Sequence, residues 1–131
     1  MLIRSRSQEI QSVEDNIKKA LYYNLLNFCW EQITKNKKKN NNTFLVVDEA
    51  HLMLDSRIKD TMITLKTISK RCRKYNANLM IITHSLVDML DNELRKEGQG
   101  ILENANYKIL LGTDGKNLEE SQEIFKLTEQ E

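Results

Sequence analysis

The chain has no proline, only four glycines and only two cysteines among its 131 residues, and each scarcity closes off a class of protein. Without proline there is no stiff Pro-rich linker and no polyproline recognition segment. The glycines, Gly98, Gly100, Gly112 and Gly115, are too scattered to form a glycine-rich loop. Cys29 and Cys72 are too few for a disulfide scaffold and read as free thiols of a reducing compartment. No stretch approaches the ~18 apolar residues of a membrane span. Met1 to Ser12 has neither the apolar core nor the small-residue cleavage site of a secretory signal, so a cytoplasmic location is expected. There, the glycosylation sequon Asn41-Asn42-Thr43 has no consequence. Charge of one sign is missing too: twenty basic residues against nineteen acidic leave a net charge of +1. That balance lacks the electrostatic footprint of a dedicated nucleic-acid binder, and any DNA contact would be local or indirect.

What is present is ordinary globular material, 40% apolar and 30% charged, in a length that fits one domain over residues 1–131. Val13, Ile17, Ala20, Leu21, Leu25, Phe28 and Ile33 recur at helical spacing, with Ser12 and Asp15 resembling a capping box. Lys35 to Asn42 reads as a loop and Phe44 to Val47 as a strand. Ile58, Met62, Leu65 and Ile68 mark a second helix reaching about Lys74. Asn78 to Thr83 reads as a second buried strand, and Ser85 with Asp88 as the cap of a short helix. Gly98 and Gly100 punctuate the chain, Tyr107 to Leu111 forms a third strand ended by Gly112, and Asn117 with Glu120 caps a last helix containing Leu118, Ile124 and Phe125. Helices alternating with continuous apolar strands imply an α/β fold whose parallel sheet is covered on both faces.

The run Thr-Phe-Leu-Val-Val-Asp-Glu-Ala-His, Thr43 to His51, carries the chemistry. A buried strand that ends in two adjacent carboxylates is the pattern of a Walker B motif, in which the first carboxylate holds the magnesium shell and the second polarises the attacking water. Asp48 and Glu49 fit those roles, at a carboxyl edge where open α/β sheets bind ligands. The competing reading is an acidic pair that caps the next helix. His84, after Thr83 at the end of the next strand, would come to the same edge and could sense a terminal phosphate; the bland alternative is a surface residue beside a helix. His51 reads as structural, since no second ligand stands at zinc spacing. Arg71 and Arg73 could serve as an arginine finger toward a neighbouring subunit, or simply as a solvated basic helix end. The Lys35, Lys37, Lys38 and Lys39 cluster is a solvated loop. Gly112-Thr-Asp-Gly115-Lys116-Asn117 is too short for a phosphate loop, and Asn117 cannot replace the magnesium-binding hydroxyl.

With these residues in hand the chain resembles the large ATPase of conjugative and type IV secretion systems, the VirB-four-like (TraC/TrbE-like) group of the FtsK/HerA superfamily of P-loop motors. Phe44-Leu-Val-Val-Asp-Glu-Ala-His51 is similar to the family's Walker B. Arg71-Cys-Arg73-Lys-Tyr-Asn-Ala77 stands where the family has a basic helix end, and Thr83-His84 stands where it has Thr-Gln. Glu97 to Ala105 and Ile109 to Gly112 resemble its segment leading into the last core strands, and Phe125 to Glu131 the short stretch just beyond them. The resemblance implies a partial RecA-like P-loop NTPase fold running from Walker B to the late core strands. It also implies ATP and Mg2+ in the intact domain, with Asp48 holding the metal through water, Asp48 and Thr83 contacting the nucleotide, and Glu49, His84, Arg73 and Arg71 as the catalytic set. It further implies a hexamer and type IV secretion channel components as partners. The location would be peripheral to the inner face of the cell membrane, with no integral membrane segment.

Because the family's phosphate loop lies upstream of the first helix, the chain reads as a truncated portion that self-associates and is inactive alone. Two alternatives compete: a non-catalytic ATPase-like assembly module, and a DEAH-box helicase segment. The helicase's downstream Ser-Ala-Thr and Gln-rich arginine motifs are missing from the sequence.

Overall fold

The computed structural model describes residues 14–53, 59–84, 90, 93–111 and 115–126. Helix α1, Asp15–Lys38, leads into β1, Thr43–Val47, and a 3-10 helix, Ala50–Met53. Helix α2, Lys59–Arg71, continues through a second 3-10 helix, Cys72–Tyr75, into β2, Ala77–Ile81. Helices α3, Arg95–Asn104, and α4, Gly115–Phe125, follow. β1 and β2 pair in parallel, from Thr43 opposite Ala77 to Val47 opposite Ile81. The expected α/β class with a parallel sheet and flanking helices holds, but the expected cover on both faces does not: Phe44, Met80 and Ile82 leave one face partly exposed among the described residues.

The core is the alternating face of β1, Thr43, Leu45 and Val47, closed by Met62, Leu65 and Ile68 of α2 and by Tyr22, Leu26, Cys29 and Ile33 of α1. That last set bears out Ile33 but otherwise corrects the stripe expected for α1. Ile17, Leu21 and Phe28 lie 51%, 41% and 50% exposed, whereas Tyr22, Leu26 and Cys29 are buried. Two apolar stripes coexist on this helix about 100° apart, and periodicity alone does not say which one the strands cover. The helix also continues to Lys38, through residues expected to open a loop at Lys35, because lysines in its last turn favour the helix dipole. Asn40, at φ 57°, and Asn76, at φ 52°, then take the left-handed conformation that a chain poor in glycine must assign to asparagine.

Several other expectations change. Gly98 and Gly100 do not punctuate the chain; both lie inside α3. Gly98 is buried, and a Cβ on Gly100 would meet Cε of Lys66 at 2.5 Å. Close packing of α3 on α2 thus offsets the weak helix propensity of glycine. Tyr107 to Leu111 makes no strand: Tyr107, Ile109 and Leu111 are 88%, 76% and 81% exposed, and among the described residues the sheet has two strands. Among the described residues no strand pairs with this apolar run, and it stays outside the sheet. Asn117 lies within α4 rather than capping it, since that helix begins at Gly115. The Ser12, Ser85 and Asp88 caps and Gly112 lie outside the described residues.

Candidate functional site at the carboxyl edge of the sheet

The backbone at the end of β1 is irregular in a definable way. The amide of Ile82 donates to the carbonyl of Val47 at 2.9 Å, so in an unbroken parallel ladder the carbonyl of Ile82 would next accept the amide of residue 49. It accepts the amide of Ala50 instead, also at 2.9 Å. One residue is therefore extra, a β-bulge, and Glu49 absorbs it by taking φ 52°. Left-handed backbone on a residue with a Cβ costs about 1 kcal/mol or more. Two exposed carboxylates, Asp48 and Glu49, thus sit where a regular strand would have placed one residue. The amide of Glu49 donates to Oδ1 of Asp48 at 2.9 Å, engaging one of its two oxygens and holding the turn.

β2 ends alongside, and Ile82, Thr83 and His84 follow it past the same edge. Glu49 Oε2 lies 3.2 Å from Nδ1 of His51 and 3.8 Å from Nδ1 of His84. The two imidazoles meet edge to face, with centroids 4.0 Å apart. His51 is held by the 3-10 helix whose Ala50 and Met53 are buried in the core. Its Nδ1 is buried and, despite the nearby carboxylate, has no partner at hydrogen-bonding geometry. The approach is close but lacks hydrogen-bond geometry. Asp48, Glu49, Thr83 and His84 are therefore gathered at one edge. His51 joins them there, a proximity that its spacing in the sequence does not disclose.

Arg71 and Arg73 are not gathered there. Both precede β2 at its amino end, and five strand residues at about 3.3 Å each put roughly 16 Å between them and the carboxylates. The Arg71 guanidinium lies 4.8 Å from the centroid of Trp30 and 5.7 Å from that of Tyr75, and it donates to the Tyr75 hydroxyl at 3.4 Å. Trp30 and Tyr75 pack with centroids 4.7 Å apart, and the Lys37 ammonium sits 4.4 Å above Tyr75. This cluster ties α1 to the second 3-10 helix, a role the basic run does not disclose. Arg73 is exposed. Cys29 and Cys72 are buried, and burial pushes each thiol up to about 11, so neither is a ready nucleophile or metal ligand.

Against known proteins, the chain is similar in structure to VirB4 of Thermoanaerobacter pseudethanolicus, with a TM-score of 0.82, 36% sequence identity and 93% of this chain covered. It spans 32% of that protein's chain. No family model matches, and no curated protein does.

Proposed function

From a chain that is VirB4-like over 93% of its length, we propose that residues 1–131 form part of an ATP-hydrolysing motor domain and carry the Walker B half of its site. In this reading the motor energises conjugative DNA transfer or type IV secretion. The observation that carries the reading is the bulge that presents Asp48 and Glu49 together at the carboxyl edge of parallel strands, with His84 3.8 Å from Glu49. An exposed carboxylate with one oxygen still available suits a hard cation, so Asp48 would hold magnesium through water. Magnesium and nucleotide would supply charge neutralisation at the phosphates when bound. Glu49, held out by its left-handed backbone, orients a water molecule and accepts its proton. His84 and Thr83 flank that position as hydrogen-bonding groups.

No glycine-rich cradle exists in the sequence to grip phosphates, so ATP and Mg2+ belong to the intact domain and this chain alone is inactive. The same absence supports the second reading, a non-catalytic assembly module; nothing in the site favours a DEAH-box helicase. Arg73, being exposed, suits a finger offered to a neighbouring subunit better than Arg71, which is engaged with Trp30 and Tyr75. Parallel sheets are normally covered on both faces. Here Phe44, Met80 and Ile82 are 45%, 41% and 44% exposed, which supports self-association, hexameric in the intact protein, and docking to channel components. No described helix is long and apolar enough to cross a membrane, and the proposed location is peripheral, on the cytoplasmic face.

The test is a chimera in which this chain replaces the matching segment of the Thermoanaerobacter VirB4, assayed for ATP turnover with and without Glu49→Gln. Turnover in the folded chimera, lost by about 100-fold or more in the variant, is the expected result. Equal turnover in both would refute the role of Glu49. A folded chimera with no turnover, made from a VirB4 that itself hydrolyses ATP, would favour the assembly module.

A further inference from the structure

The edge cluster contains a donor set of a kind that magnesium does not favour. Glu49, His51 and His84 each offer one ligand atom, and these atoms all lie within 4.8 Å of one another. Two of the separations, 3.2 and 3.8 Å, bracket the about 3.3 Å between ligand atoms that tetrahedral bonds of about 2.0–2.1 Å require. The donors are two imidazole nitrogens and one carboxylate oxygen, a set that suits zinc and its first-row neighbours rather than magnesium, which prefers oxygen. A second observation points the same way. His51 Nδ1 is buried without a hydrogen-bond partner, and it faces Glu49 Oε2 at 3.2 Å.

An orphaned buried ring nitrogen is costly unless something ligates it. His51 itself is anchored, its side chain 23% exposed, whereas those of Glu49 and His84 are 53% and 66% exposed and free to close by small rotations. We propose that Glu49, His51 and His84 form a three-ligand site for a divalent transition-metal ion, Zn2+ foremost, with the fourth position open to water. The site lies beside Asp48 but does not include it. It shares Glu49 and His84 with the nucleotide reading but is argued from side-chain geometry, and its test needs no nucleotide.

The experiment is calorimetric titration of the purified chain with Zn2+ at neutral pH, with Co2+ absorption spectra as a check on coordination geometry. One equivalent of Zn2+ binds, and Co2+ gives the intense visible bands of a four-coordinate site. His84→Ala and His51→Ala each weaken Zn2+ binding by about tenfold or more, while Asp48→Asn leaves it unchanged. Circular dichroism confirms that the variants are folded. His84 is exposed, so its substitution keeps the test decisive even if His51→Ala unfolds the 3-10 helix. The proposal is overturned if no Zn2+ binds, if binding persists unchanged in His84→Ala, or if Asp48→Asn abolishes it.

Discussion

Replacing Glu49 by glycine should make the protein more stable than replacing it by alanine, and the size of that gap follows from the bulge. At φ 52° any residue with a Cβ carries about 1–2 kcal/mol of left-handed strain, which glycine relieves and alanine keeps. Glycine gives back about 0.5–1 kcal/mol through the greater freedom of the unfolded chain. The net advantage of Glu49→Gly over Glu49→Ala is therefore about 0.5–1 kcal/mol. Both variants lose the carboxylate, so its contact with His51 cancels from the comparison. The assay is urea unfolding of the two variants followed by circular dichroism, read at equal slope so that midpoints report stability. In a thermal melt the gap would be about 2–5 °C for a domain of this size. Should the alanine variant prove equal or more stable, Glu49 does not occupy a left-handed position, and the extra residue between Val47 and Ala50 would have to be placed elsewhere. The expected result would mean that glutamate persists where glycine is the better structural choice, as functional residues do.

Arg71→Ala should destabilise the chain by about 1 kcal/mol in the same unfolding assay, since it removes cation–π contacts to Trp30 and Tyr75 worth about 0.5–1 kcal/mol each at exposed sites. Arg73→Ala should stay within about 0.5 kcal/mol of the parent, and equal effects would refute the division of labour between the two arginines. Cys29 and Cys72, raised from 9.0 to about 11 by burial, should react with a thiol reagent at about pH 8 roughly 100-fold more slowly than in the urea-unfolded chain. The folded state holds these protons more tightly, so the thiols' contribution to stability is full below pH 9.0 and is lost as pH rises toward about 11; rapid native labelling would contradict their burial.

The α/β class, both strands, the run of α2 and the gathering of Asp48, Glu49 and His84 at one edge are all legible in the sequence. Each depends on local apolar continuity and on the rule that parallel strands share a carboxyl edge. What is not legible depends on partners distant in sequence. The buried face of α1 escapes periodicity because Ile17, Leu21 and Phe28 form a stripe as regular as Tyr22, Leu26 and Cys29. Gly98 and Gly100 look like breaks because the close approach of Lys66 from α2 has no signature in α3 itself. Tyr107 to Leu111 has the composition of a strand, but a strand also needs a neighbour, and composition cannot supply one. His51 has no second ligand at zinc spacing in the sequence, although the bulge and the end of β2 bring His84 to it from far along the chain.

The parallel register also separates two kinds of residue along one sheet. At the amino end of β2, Arg71, Tyr75, Trp30 and Lys37 satisfy one another, and Asn76 turns the chain so that its carbonyl accepts the amide of Thr43 at 3.0 Å; these groups are spent on internal contacts. At the carboxyl end the reverse holds. Glu49 carries backbone strain, His51 Nδ1 is buried without a hydrogen bond, and Asp48 and His84 reach into solvent. Stability favours satisfying such groups, so their concentration at one edge, roughly one strand length from a well-satisfied opposite edge, is what a binding surface requires of its scaffold. The strain at Glu49 and the orphaned nitrogen of His51 stand within three residues of each other, on either side of the Ala50 amide that the carbonyl of Ile82 accepts in place of the regular ladder bond.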